Sequence, residues 1–223
     1  MLSLPRPPAA WHELPPLQWL MRPAAPCVLP PQGLRGLTPL PWWAAISYAG
    51  DGRRAILQLR RDPTAARLSA LLPGLLKRLR QWPQPTLLLP IPSWKRQANP
   101  LPGLLARQLH RQLGWPCDPQ LLERSRPVLG QHRLNRELRW ANQQGAFRCL
   151  HRPGHASLPW GCRTVMLLDD ILTTGATACA AAAALEAKGW RVAGLSCLGR
   201  TPAQPRPKGR DLRSSGRLGG GPG

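Results

Sequence analysis

The sequence has few residues of several kinds, and each shortage excludes a class of protein. Its 223 residues include six cysteines, and no two stand in a C-x-x-C pair, so a zinc ribbon has no local signature and we expect no zinc. No apolar run approaches the ~20 residues of a membrane-spanning helix, so we expect no membrane insertion. The N-terminus lacks a basic region followed by an apolar core, which predicts no signal peptide. Cysteines scattered through apolar segments favour reduced thiols in a cytoplasmic protein.

Acidic residues are also scarce. Ten Asp and Glu face 31 Lys and Arg, of which four are Lys, and the formal net charge is +21. A cationic surface attracts phosphate of any kind, which favours a polyanionic partner. Arg, Ala, Pro and Gly are all frequent, however, as they are when codons are GC-rich, and such compositional drift explains the charge equally well. The hydrophobic content of 43% suffices for a core and excludes wholesale disorder.

Strand and helix patterns alternate along the chain, which predicts an α/β fold with a mainly parallel sheet flanked by helices. Strand-like apolar runs occupy residues 44–48, 86–89, 164–168 and 192–198. Helical spacing begins near residue 53 and recurs at residues 64–79, 101–113 and 178–188, with Pro73-Gly74 expected to kink or divide the second helix. We therefore divide the chain into a Pro-rich segment without helix or strand periodicity (1–43), a domain (44–200) and a disordered basic tail (201–223).

The segment LDDILTTGAT at residues 168–177 carries the clearest chemistry. An apolar strand is expected to end at residue 168 and to place two carboxylates, Asp169 and Asp170, where open α/β sheets bind ligands. The small residues that follow let backbone N–H groups approach a ligand, and the next helix directs its N-terminus at the same place. Such a turn cradles phosphate. The acids suit the hydroxyls of an attached sugar, or a metal. An ordinary N-capped helix would explain one acid and one threonine, but not the pair.

The same segment resembles the phosphoribosyl-pyrophosphate (PRPP) motif of type I phosphoribosyltransferases. The resemblance implies that Asp169 and Asp170 bind the ribose hydroxyls. It also implies that the turn binds the 5′-phosphate through Thr173, Thr174, Gly175, Ala176 and Thr177. The fold implied is the type I phosphoribosyltransferase-like fold, and the cofactor implied is Mg²⁺ with PRPP, without a residue of the chain assigned to the metal.

A second segment narrows the resemblance to ComF-like proteins. Residues 131–147 are similar to that family's Q-x-x-L-x-x-x-x-R-x-x-N-x-x-G-A-F signature. The basic loop that carries the signature contributes the candidate site residues Gln131, Arg133, Arg136, Arg139 and Asn142. A solvated loop is the alternative explanation of such an arginine run. Upstream, Pro90-Ile91-Pro92 resembles the family's P-V-P at the pyrophosphate loop, which we assign to Ile91, Pro92, Ser93, Lys95 and Arg96.

The chain also departs from these patterns. ComF-like proteins usually open with a four-cysteine zinc ribbon, whereas this chain has only Cys27 in that region, and residues 95–100 keep the family's R-G-F-N-Q element poorly. Purine transferases of this fold keep an aspartate near the position of Thr173, so no general base is evident and the catalytic residues stay unassigned.

Two functions remain open. The first is a ComF-like protein that binds PRPP or a related sugar phosphate and acts in DNA uptake, with single-stranded DNA and DNA-uptake proteins as further partners. The second is a PRPP-dependent transferase of nucleotide salvage.

Overall fold

The computed structural model describes residues 29–82, 86–93, 99–127, 136–153 and 163–202, and it contains two sheets. The larger sheet has the strand order β1-β2-β7-β6-β3, in which β1 is antiparallel to β2 and every other neighbouring pair is parallel. Its strands are β1 (Leu34–Gly36), β2 (Trp42–Ser47), β3 (Leu87–Pro90), β6 (Thr164–Leu172) and β7 (Arg191–Arg200). The smaller sheet is an antiparallel pair of β4 (Leu122–Arg124) and β5 (Phe147–Cys149).

Six helices connect or cover these strands within the described ranges. They are α1 (Gly50–Arg61), α2 (Ala65–Leu71), α3 (Pro73–Leu79), α4 (Leu101–Leu113), α5 (Arg136–Gln143) and α6 (Ala176–Glu186). The mainly parallel α/β architecture expected from the sequence is confirmed. The expected division of the 64–79 helix is also confirmed, because Pro73 starts α3 directly after Leu72 closes α2.

The sheet is buried on both faces, as parallel sheets generally are. Along β6, Val165 and Leu167 belong to a cluster with α6 and the β4–β5 pair, whereas Met166 and Leu168 belong to a cluster with α1 to α4. All four side chains are fully buried. From residue 165 to residue 170 the side chains alternate between the two faces, which places the two acids of the strand on opposite faces. At the end of β6 the alternation stops, because Ile171 packs with the cluster of Met166 and Leu168 and Leu172 belongs to the cluster of Val165 and Leu167.

Several boundaries expected from the sequence are wrong by two to four residues, three of them at elements that line the cavity. The strand expected to end at residue 168 continues to Leu172, because β7 runs beside it and Asp169 pairs with Cys197, Ile171 with Gly199. The helix expected to begin at residue 178 begins at Ala176, directly after the turn. The helix expected near residue 53 begins at Gly50.

Strand structure also appears in the segment that the sequence treats as Pro-rich and without periodicity. β1 and the first two residues of β2 belong to the large sheet, and Trp42 pairs with Leu195 of β7. The ladder to β7 supplies the order here, because backbone hydrogen bonding needs no side-chain pattern. Residues 1–28 of the segment lie outside the described residues, as does the predicted tail from residue 203 onward.

One edge of the large sheet is short and the other is shielded. The three-residue β1 forms one edge. At the other edge, the Leu88 N–H of β3 donates to the Pro116 carbonyl at 2.7 Å, and the Leu88 carbonyl accepts from the Asp118 N–H at 3.2 Å. The segment around Cys117 therefore shields β3. Among the described helices, none is long and apolar enough to cross a membrane.

Candidate functional site

A cavity of about 720 Å³ opens at the carboxyl ends of the parallel strands. Tyr48 follows β2, residues 91–93 follow β3 and residues 173–177 follow β6, and all of them line it. Ligands of open α/β sheets bind at this edge, because the loops there converge and the helix N-termini face it. The following residues proposed from the sequence line the cavity: Ile91, Pro92, Ser93, Arg139, Asp169, Asp170, Thr173, Thr174, Gly175, Ala176 and Thr177.

The other proposed site residues are placed differently. Asn142 of α5 does not line the cavity, and its backbone carbonyl accepts from the Arg126 guanidinium at 3.2 Å. Four of the candidates, Lys95, Arg96, Gln131 and Arg133, lie outside the described residues, and so does the side chain of Arg136.

The turn between β6 and α6 ends at Gly175, in a backbone conformation that only glycine adopts without strain. Gly175 has φ +84°, in the left-handed region, and a Cβ there would stand 2.4 Å from Cγ of Pro39. The Ala176 N–H, at the start of α6, lies 3.4 Å from the Thr174 hydroxyl. The turn is thus a compact loop at a helix N-terminus, where a phosphate finds N–H donors and a favourable dipole.

Arg200, the last residue of β7, supports the turn. Its guanidinium Nη1 donates to the carbonyl oxygens of Leu172, at 3.0 Å, and of Thr173. The Cζ of Arg200 also lies 5.3 Å from the ring centre of Trp42. Carbonyl oxygens carry a partial negative charge that would repel an anion, and the hydrogen bonds from Arg200 offset this charge.

The two acids both line the cavity but have different neighbours, because β6 continues through them and places them on opposite faces of the sheet. Asp170 faces α1 and α4, where its Oδ2 accepts from Nε of Arg60 at 2.8 Å, from Nη2 of the same guanidinium and from the amide of Asn99. The Asn99 Oδ1 in turn accepts from the N–H of Leu101, the first residue of α4. Asp170 therefore joins β6, α1 and the start of α4.

Asp169 faces the β4–β5 pair. Its Oδ1 accepts from the Asp170 backbone N–H at 2.8 Å. Burial raises the pKa of Asp169 well above its ordinary value, and the negative charge of Asp170 raises it further. The raised pKa inclines Asp169 to keep its proton, whereas the Asp170 carboxyl is paired with Arg60.

Among the residues that line this cavity, sequence reasoning gave Arg60 no role, noted Arg124 only as part of an arginine-rich stretch, and noted Asn99 only as part of the poorly kept R-G-F-N-Q element. Arg60 and Asn99 are separated from Asp170 by 110 and 71 positions, so nothing local connects them. Two signals were present. Period-2 alternation within a longer β6 separates Asp169 from Asp170, and an asparagine before Pro100 at a helix start commonly satisfies backbone N–H groups.

Fold and site define an α/β protein with a cavity, lined in part by charged and hydroxyl side chains, at the carboxyl edge of a mainly parallel sheet. No protein-family model matches the chain. The DNA utilization protein YhgH of Salmonella typhi is 30% identical over 176 residues, which cover 73% of this chain and 74% of that protein. The protein of the same name in Escherichia coli (strain K12) is 33% identical over 108 residues, 48% of this chain and 44% of that protein. The chain belongs to the family of the DNA utilization protein YhgH.

Among solved structures, adenine phosphoribosyltransferase from Leishmania donovani is similar to this chain. The similarity covers 70% of each chain at 18% sequence identity, with a TM-score of 0.40. This score is too low to decide the fold, and the α/β assignment depends on the strands and helices described above.

Proposed function

We propose that the protein is a ComF-like phosphoribosyltransferase-fold protein that binds PRPP or a related sugar phosphate and acts in DNA uptake or use. The observation that carries the proposal is the convergence of the 173–177 turn, Asp169 and residues 91–93 on one cavity. A phosphate on the turn would bring its sugar next to Asp169 and a second anionic group towards the loop after β3. The name of the relatives, DNA utilization protein, supports the wider role.

The acids do not fit a direct metal site. The Oδ2 of Asp170 already accepts from a guanidinium and an amide, and Asp169 favours its protonated form. Mg²⁺ prefers carboxylate oxygens that are ionised and accessible. We therefore propose that Mg²⁺ enters with the diphosphate of PRPP, and we assign no residue of the chain to it.

The site favours binding over nucleotide salvage. A salvage transferase needs an acceptor and usually a general base. In the part of the chain that the structure describes, the carboxylates lining the cavity are Asp169 and Asp170, and Asp170 is committed to Arg60. A threonine, Thr173, stands at the place where purine transferases of this fold keep an aspartate.

Calorimetry on the full chain tests the ligand, with PRPP and ribose 5-phosphate titrated in the presence and in the absence of Mg²⁺. We expect both ligands to bind, and Thr173→Val to weaken both about tenfold or more, since a hydrogen bond to a charged group contributes ~1.5–3 kcal/mol. Thr164→Val, at the opposite end of β6, is the matched control and should leave affinity unchanged. Absence of PRPP binding under both conditions would refute the proposal.

The wider role is tested by fluorescence anisotropy with labelled single-stranded DNA. The net charge of +21 and the membership in the YhgH family lead us to expect binding whose affinity falls as salt is raised. Binding that is absent, or that does not respond to salt, would remove DNA as a partner and would leave the sugar-phosphate proposal standing.

A further inference from the structure

Arg124, the last residue of β4, connects three segments around the cavity. Its Nε donates to the Pro92 carbonyl in the loop after β3 at 3.0 Å. Its Nη1 donates to Oε1 of Gln143, at the end of α5, at 3.0 Å. Its Cζ lies 4.2 Å from the ring centre of Phe147 in β5. The guanidinium is therefore fixed by two hydrogen bonds and an aromatic face.

These contacts leave part of the guanidinium for a ligand. Arginine carries N–H donors on all three nitrogens, and among the described residues no acceptor contacts Nη2 of Arg124. Arg124 lines the same cavity as Asp169 and the 173–177 turn. A guanidinium presents its N–H groups in a plane that matches the oxygens of a phosphate.

The Arg124 guanidinium is partly buried and is suited to attract an anion. Burial lowers the pKa of Arg124 to about 10, with Asp169 acting in the opposite direction, so the side chain stays protonated at neutral pH. A cation that is partly removed from water and already held in position attracts an anion more strongly than a solvated one, and it loses little freedom when the anion binds.

Two other arginines near the site are already committed. Arg60 is paired with Asp170, and Arg200 caps the carbonyl oxygens at the end of β6 and does not line the cavity. Two further arginines line the cavity. Arg53 is exposed and belongs to α1, on the face of the sheet that holds Asp170, and Arg139 of α5 already has a contact of its own. Arg124 shares its face with Asp169 and contacts the loop after β3.

We propose that Arg124 binds the second anionic group of the ligand, the diphosphate in the case of PRPP, while the 173–177 turn holds the 5′-phosphate. This assignment rests on the proposed function. It makes Arg124 a binding residue supplied by the small β4–β5 sheet, outside the acid pair, the turn and the loop that the sequence motifs indicate.

Calorimetry with three ligands tests the assignment: PRPP, inorganic pyrophosphate and ribose 5-phosphate. For Arg124→Gln we expect affinity for PRPP and pyrophosphate to fall about 10-fold to 100-fold, the range for a lost hydrogen bond to a charged group, while affinity for ribose 5-phosphate changes little. Arg124→Lys keeps the charge without the planar donors and should fall in between. Arg148→Gln is the matched control, because Arg148 lies on β5 and pairs with Glu123 at the surface.

The outcomes separate the two proposals. If wild-type protein binds none of the three ligands, the proposed function fails and the assignment fails with it. If wild-type protein binds PRPP and Arg124→Gln binds it equally well, the assignment of Arg124 alone is refuted. Equal losses for all three ligands, with a lowered thermal midpoint in Arg124→Gln and in Arg124→Lys, would show that Arg124 supports the cavity and does not select the diphosphate.

Discussion

Removing the Arg60 guanidinium is expected to destabilise the protein, because it leaves a buried charge without its partner. The Asp170 side chain is 7% exposed and that of Arg60 33% exposed. Arg60→Gln would leave Asn99 as the remaining side-chain donor to Asp170 in the described structure. The carboxylate could then neither return to water nor find an equivalent cation.

The size of the effect follows from this burial. Losing one partner of a fully buried pair costs about 3–5 kcal/mol. A third of the Arg60 side chain is exposed and the Asn99 amide still donates, so we expect a loss of about 2–3 kcal/mol in the free energy of unfolding. Domains are stable by roughly 5–15 kcal/mol, and the variant should therefore still fold.

Urea unfolding of the full chain measures this loss in a double-mutant cycle with Asp170→Asn. We expect the two substitutions together to cost less than the sum of the single losses by about 2 kcal/mol, as neighbours in one hydrogen-bonded group do. A second cycle on Arg67 and Asp62 is the matched control. That pair is 3.2 Å apart, and both side chains are more than half exposed, which predicts a coupling of about 0–1 kcal/mol. Equal coupling energies in the two cycles would refute the structural role of the Arg60–Asp170 pair.

Two further predictions concern the turn and the acids. Gly175→Ala should lower the free energy of unfolding by more than the ~1–2 kcal/mol that a left-handed backbone costs an alanine, because the added Cβ would meet Pro39. Gly189→Ala is the control and should cost only that amount, because Gly189 has φ +88° but open space around it. Equal losses of the two variants in urea unfolding would contradict this prediction. The raised pKa of Asp169 means that the folded state binds this proton more tightly than the unfolded state does. The stabilisation that the bound proton provides is therefore fully present below the unfolded pKa of about 3.9, and it is lost as pH rises through the folded pKa. Asp169→Asn should therefore gain stability relative to wild type as pH rises above about 4, and a difference that does not change with pH would show that folding does not raise the pKa of Asp169.

Much of the fold could be predicted because its signals are local. Leucine spacing predicted α4 over residues 101–113, and an apolar run predicted the buried core of β6. The end of β6 could not be predicted, because residues 169–172 are polar or mixed and their strand conformation depends on pairing with β7, which is almost 30 positions away. The strand at residues 34–36 was not predicted for the same reason, because its strand conformation depends on antiparallel pairing with β2.

The candidate site was predicted in its local part only. The 173–177 turn is continuous in sequence, and its small residues indicate a close backbone approach. The donors around it come from distant elements, Arg60 from α1 and Arg124 from β4, and chain folding brings them to the cavity. The different neighbours of Asp169 and Asp170 were not predicted, because they follow from the pleat of a strand that was expected to end before the two acids.

The short edge and the shielded edge of the large sheet have a consequence for association between copies of the chain. A long exposed edge strand is a template on which another chain can add its own backbone hydrogen bonds. Within the described ranges, one edge of the large sheet is only three residues long, and at the other the Leu88 N–H and carbonyl are already paired with the segment of residues 116–118. Strand addition is thereby disfavoured on both sides, so a strongly cationic chain that gathers at high local concentration along a polyanion would meet its neighbours through side chains and not through shared β-structure.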